Sequence, residues 1–92
     1  MLTAKQVIFE GRVQGVGFRY TVKNLARGFD VCGWVKNQAD GSVELQAMGE
    51  RVELDSFIKE ISEESDVAHH IKNLTVCQIP LLVNCSGFRI ES

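Results

Sequence analysis

Two departures from strand-like alternation into helical spacing, each followed by a return, constrain this chain's fold more than any other feature. In "VIFEGRV" apolar and polar residues alternate, with Val7, Phe9, Gly11 and Val13 on one face and Ile8, Glu10 and Arg12 on the other. That is a half-buried strand. After a short glycine segment, Phe18, Val22, Leu25, Ala26 and Phe29 recur at helical spacing. Alternation returns in "VCGWVKN", breaks at "QADGS" and resumes in "VELQAM", with Val43, Leu45 and Ala47 on one face. Asp40-Gly41 between two such runs predicts a hairpin. Leu54, Phe57, Ile58 and Ile61 then form a second helical stripe across residues 50–65. "HIKNLTVCQI" reads as a strand with irregular alternation, which admits a β-bulge. "GFRIE" adds a short last strand with Phe88 and Ile90 on one face.

The order is β-α-β-β-α-β plus a short last strand. This predicts an α+β fold: a mainly antiparallel sheet with two helices on one face. The 92 residues make a single domain, 1–92, with one modest core. In the split form of this topology, strands 1 and 2 run parallel with strand 3 between them. Their carboxyl ends then share one sheet edge, about 10 Å apart at two strand spacings. Strand 1 ends in the glycine segment and strand 2 at Asn37, so both reach one small ligand.

That segment, "GRVQGVGFRY", joins Gly15 and Gly17 to Arg19 at the start of a helix. Consecutive N–H groups in a glycine-bent loop make an anion-binding concavity, and a helix start adds free donors and partial positive charge. Arg19 in the first turn is mildly unfavourable, by roughly 0.3–1 kcal/mol, unless an anion lies against it. Its planar fork of donors suits phosphate or carboxylate. There is no GK[ST] as in a nucleotide P-loop and no third glycine as in a dinucleotide fingerprint.

"GRVQGVGFR" followed by "GWVKNQADGSVE" resembles the paired signature of the acylphosphatase family, and the resemblance covers nearly the whole chain. It implies a ferredoxin-like α/β sandwich. It also implies hydrolysis of the carboxyl–phosphate anhydride of an acyl phosphate, without metal or cofactor. Residue by residue, it makes Gln14, Gly15, Val16, Gly17, Phe18 and Arg19 the phosphate cradle, Arg19 the phosphate-binding arginine, and Asn37 the residue that orients the attacking water. Inorganic phosphate and sulfate should compete for the cradle. Two departures stand out. Phe29-Asp30-Val31 replaces the Leu-Gly-Leu common after helix 1, so Asp30 would have to take a left-handed conformation less easily than glycine. "SEESDVAHH" lacks the Gly-Pro often seen before strand 4, which predicts a different loop away from the site.

The rest of the sequence narrows partners and setting. The formal charge is −2, and strand 3 carries no aromatic platform, so an RNA-binding module on the same fold is disfavoured. A non-catalytic domain that merely binds a small anion is the harder rival; Arg19 and Asn37 together favour the enzyme. Residues 1–40 are net +3 and residues 41–92 net −5, a local field that attracts anions. No apolar run approaches the ~20 residues of a membrane span, and "MLTAKQVIFEGR" has no charged-then-apolar leader. The expectation is a cytoplasmic monomer acting on a small molecule, with no nucleic-acid or membrane partner. Cys32, Cys77 and Cys85 are odd in number and lack CxxC or Cys/His spacing, which predicts reduced, buried thiols and neither a disulfide framework nor zinc. His69 and His70, expected to begin strand 4, should point to opposite faces and so not chelate one metal. Helix 2 acids read as a solvated face, and Trp34 as cover for the open face of the sheet. Leu81, Leu82 and Val83 extend strand 4, pack under it or form an association patch.

Overall fold

A computed structural model describes residues 1–91. Strand β1 (Leu2–Gly11) leads to helix α1 (Phe18–Ala26), then β2 (Val31–Asn37), β3 (Val43–Glu50), helix α2 (Arg51–Lys59), β4 (Ile71–Ile79) and β5 (Phe88–Glu91). The sheet order is β4-β1-β3-β2-β5. β3 lies between β1 and β2 and runs antiparallel to both, and β5 adds parallel to β2. The predicted topology is observed, and the inward faces are those the alternation picks out. Val7, Phe9, Val35, Val43, Leu45 and Ala47 are buried against Phe18 and Val22 of α1 and Leu54, Phe57 and Ile58 of α2. Phe57 holds the layers together, 5.6 Å centroid to centroid from both Phe29 and Phe88.

α2 does not run straight through the predicted 50–65. After Lys59 it widens into one π turn, Glu60–Glu64, and Ser65 closes it by donating its N–H to the Glu60 carbonyl at 2.9 Å. The serine hydroxyls compete for the same backbone: Ser62 bonds the Ile58 carbonyl at 2.9 Å and Ser65 that of Ile61 at 2.7 Å. Such back-bonding bends helices. Asp30 avoids the left-handed conformation, Asn84 (φ 55°) being the one non-glycine among the described residues with positive φ. The Asp30 N–H is met from outside instead, by Glu53 Oε1 at 2.9 Å.

Three further expectations are corrected. The chain pairs Cys32 with Cys85 in a disulfide, leaving only Cys77 free, and that thiol is exposed. Odd number and irregular spacing could not reveal this pairing. The parallel addition of β5 to β2 brings two residues 53 apart in sequence to a Cα separation of 5.8 Å. His69 and His70 do not begin a strand with opposed side chains. They sit in a 3₁₀ turn, Ala68–His70, with ring centroids 4.0 Å apart. Their loop is not remote from the glycine segment either, because the Arg12 N–H donates to the His70 carbonyl at 3.0 Å. After Ile79, Leu81 and Val83 are exposed and extend no strand.

The irregularity in β4 is a bulge. Glu10 faces Asn73 but Gly11 faces Ile71, so Lys72 is the extra residue. A side chain at Gly11 (φ 130°) would collide with the His70 carbonyl and the Lys72 amide. Glycine is required there for close approach as well as for conformation.

Candidate active site

The loop between β1 and α1 is shaped by two glycines. Gly15 (φ 79°) and Gly17 (φ 78°) are both left-handed, and nothing lies within 4 Å of where a Cβ would stand at either. Backbone conformation, not crowding, selects glycine here. The alternate residues anchor the loop: Val16 packs on the core, and Phe18 is buried with its ring 4.9 Å from that of Phe9.

The first helical bond of α1 runs from the Thr21 N–H to the Gly17 carbonyl at 3.0 Å. Among the described residues, no carbonyl or side chain accepts from the N–H groups of residues 15–20, no side chain caps the helix, and its first turn carries no acid. Free donors and the positive end of the helix therefore coincide. Arg19, half-buried in that first turn, enters no ion pair among the described residues. Its charge is available to a ligand.

Asn37 is the last residue of β2, at the same sheet edge. Its Oδ1 is buried and accepts from no other protein group among the described residues. A buried acceptor left unmet costs about 1–3 kcal/mol, so its retention needs a reason beyond folding.

Gln14 sets the relation between loop and strand. Its Nε2 donates to the carbonyls of Gln38 at 2.8 Å and Ser42 at 2.9 Å, fastening the loop to the hairpin that follows Asn37. The hairpin is braced in turn. The Gln38 N–H bonds the Ser42 carbonyl at 2.8 Å, and the Gln38 amide donates to Glu44 Oε1 at 2.7 Å. Asp40 Oδ1 accepts from the Ser42 hydroxyl at 2.6 Å and the Ser42 N–H at 2.9 Å. These bonds hold the Asp40 carboxyl below its ordinary range, the Ser42 hydroxyl most strongly.

All the predicted cradle residues thus lie in one loop, tied to the strand end that carries Asn37. Sequence reasoning missed the buried Glu44, which gathers the amides of Gln6, Gln38 and Gln46 on the open face of the sheet. Alternation alone assigns that face to solvent, and only the register brings the three glutamines to one carboxylate. Among the described residues, no three His, Cys, Asp or Glu side chains are grouped as a metal site requires.

The family model described as Acylphosphatase matches residues 5–90. The chain belongs to the acylphosphatase family. It is 46% identical over 71 residues to an acylphosphatase of Pediococcus pentosaceus, covering 77% of this chain and 79% of that one. It is 34% identical over 87 residues to one of Lacticaseibacillus paracasei, covering 95% and 94%. The crystal structure of acylphosphatase from Bacillus subtilis superposes with a TM-score of 0.88 at 37% identity over the full length of both chains. The acylphosphatase fold and reaction are thereby shown for this chain: it is an enzyme that hydrolyses acyl phosphates, and its substrates are small molecules. No helix among the described residues is long and apolar enough to cross a membrane.

Proposed function

We propose that the backbone N–H groups of Gln14, Gly15, Val16, Gly17, Phe18 and Arg19 cradle the phosphoryl group, that the Arg19 guanidinium binds its oxygens, and that Asn37 orients the attacking water. The single observation that carries this reading is the buried, partnerless Asn37 Oδ1 beside a loop whose donors are equally uncommitted. An acceptor suits a water O–H; donors suit phosphoryl oxygens. Gln14 contributes backbone only, because its side chain is bonded to the hairpin.

The reaction is R–CO–O–PO₃²⁻ + H₂O → R–COO⁻ + H₂PO₄⁻. The water oxygen bonds to phosphorus as the bond to the acyl oxygen breaks, and the carboxylate carries away the electron pair. That leaving group needs little acid assistance, so the protein's tasks are positioning and charge stabilisation. The water proton passes late to a phosphoryl oxygen, which requires no side-chain base.

The same reading makes residues 1–92 one domain, a monomer without a nucleic-acid or membrane partner, inhibited competitively by inorganic phosphate and sulfate. It also sets the enzyme in the cytoplasm. Disulfides are rare there, so Cys32 and Cys85 would be thiols in the cell. The deciding experiment is release of phosphate from benzoyl phosphate by purified protein in excess EDTA, with inorganic phosphate as inhibitor. Turnover with competitive inhibition is expected. Strict dependence on a divalent ion, or uncompetitive inhibition, overturns the reading.

A further inference from the structure

The bulge in β4 gathers positive charge at the site's sheet edge, on the side away from Asn37. Gly11, Arg12, His69, His70 and Lys72 line a shallow groove of about 690 Å³. The groove is built by backbone features: the bulge at Lys72, the tight approach at Gly11, and the bond from the Arg12 N–H to the His70 carbonyl. Bulges re-aim side chains, and here the extra residue is a lysine. Arg12, His69 and Lys72 are exposed, and among the described residues neither cation forms an ion pair. Glu10, which faces Asn73 in the register, is the adjoining acid and does not neutralise them by contact. His70 is held below its ordinary pKa by burial first, and by its neighbours His69 and Arg12 second.

Sheet order places the groove relative to the reaction. Along the edge, the start of β4 comes first, then the end of β1 with Arg12, the start of β3, and the end of β2 with Asn37. The cradle loop leaves β1 and is fastened to the β2–β3 hairpin by Gln14. Asn37 and the groove therefore flank the cradle from opposite sides. In-line displacement puts the attacking water and the departing acyl oxygen on opposite sides of phosphorus. A water held by Asn37 sends the acyl group toward β4.

We infer that the Arg12–His69–His70–Lys72 groove is an acyl-side subsite that selects acyl phosphates bearing a second anionic group, such as a distal carboxylate. This rests on the cradle assignment above. Two cations and two imidazoles facing a short acyl chain would favour a dianionic or more highly charged substrate over a neutral acyl group. The distal carboxylate binds without covalent change.

The test is the ratio of kcat/KM for 4-carboxybenzoyl phosphate to that for benzoyl phosphate, in wild type and in Arg12→Gln, Lys72→Gln and the double variant. Differences in leaving-group reactivity cancel between proteins. The ratio should fall at least fivefold in the double variant at low ionic strength, and the wild-type ratio should fall with added salt. A ratio that stays within twofold across all four proteins overturns the subsite while leaving the hydrolase reading intact. If benzoyl phosphate itself is not turned over, the cradle reading fails. The groove is then judged by calorimetric binding of 4-carboxybenzylphosphonate against benzylphosphonate. Equal affinities in wild type, or a difference that survives in the double variant, overturn it.

Discussion

Replacing Asn37 should separate activity from stability. In the folded protein its Oδ1 is buried and unmet, and no hydrogen bond of the side chain supports the hairpin. That support comes from Gln14, Gln38 and Asp40. Truncation to alanine therefore removes no hydrogen bond to another protein group, and only the water that the proposed role seats on Oδ1 is lost with it. Asn37→Ala should change unfolding free energy by no more than about 1 kcal/mol. Turnover should fall far more. Losing the group that aligns the nucleophile costs on the order of 10²-fold, about 2.7 kcal/mol at 1.36 kcal/mol per tenfold. The loss should fall on kcat, since the proposed site holds phosphate by the cradle and Arg19 rather than by Asn37. Asn37→Asp keeps a short polar side chain but sets a negative charge beside an anionic substrate, so it should be inactive and should also weaken phosphate inhibition. The assay is urea denaturation alongside benzoyl phosphate kinetics on both variants. Near-normal turnover by Asn37→Asp, or an Asn37→Ala loss of stability that tracks its loss of activity, would refute the assignment and return Asn37 to a turn former.

Arg19→Lys keeps the charge and loses the planar fork; kcat/KM should drop at least about tenfold, with inhibition by sulfate weakened in parallel. Reducing the Cys32–Cys85 bridge opens a loop of 53 residues, which in the chain-entropy account costs up to about 4 kcal/mol of stability. Denaturation with and without dithiothreitol should show that loss while kcat/KM at low denaturant stays unchanged, because Cys32 and Asn37 stand at opposite ends of β2. Alkylation trapping in intact cells should find both cysteines reduced if the enzyme works in the cytoplasm; a fully oxidised pair counts against that setting. Asp40 has a lowered folded pKa, so its contribution is present above the unfolded value of 3.8 and lost as pH falls through the folded value. The stability gap between wild type and Asp40→Ala should accordingly shrink between about pH 5 and pH 2; a gap that grows on acidification would contradict the Ser42 bonds.

Periodicity made the fold legible because the core-facing positions of β1 and β3 follow it, although Glu44 is buried on the opposite face and β4 is exposed along most of its length. Val7, Phe9, Val43, Leu45 and Ala47 are fully or almost fully buried at alternating positions, and the helical stripes supply their partners. The glycine loop stood out for a different reason: glycines at two left-handed positions and a cation in a helix's first turn are locally costly choices, and local cost is visible in sequence. Long-range effects were not legible. The disulfide follows from β5 joining β2 in parallel, which no spacing of cysteines encodes. Gln14 looked like one more cradle residue, and only the fold shows its side chain spanning to residues 38 and 42.

The same division explains why the histidines were misplaced. An irregular alternation signals a bulge but not which residue it ejects, and the bulge decides where β4 begins. Ejecting Lys72 ends the strand pairing at Ile71, opposite Gly11. The two histidines then fall into the preceding 3₁₀ turn, their tilted rings 4.0 Å apart rather than divided between faces. With the bulge in place, Arg12, His69, His70 and Lys72 line one groove at this corner. The glycine at position 11 is what permits it, since any side chain there would push the two strands apart. The proposed catalytic positions stand out by residue type; the proposed acyl-side groove depends on register.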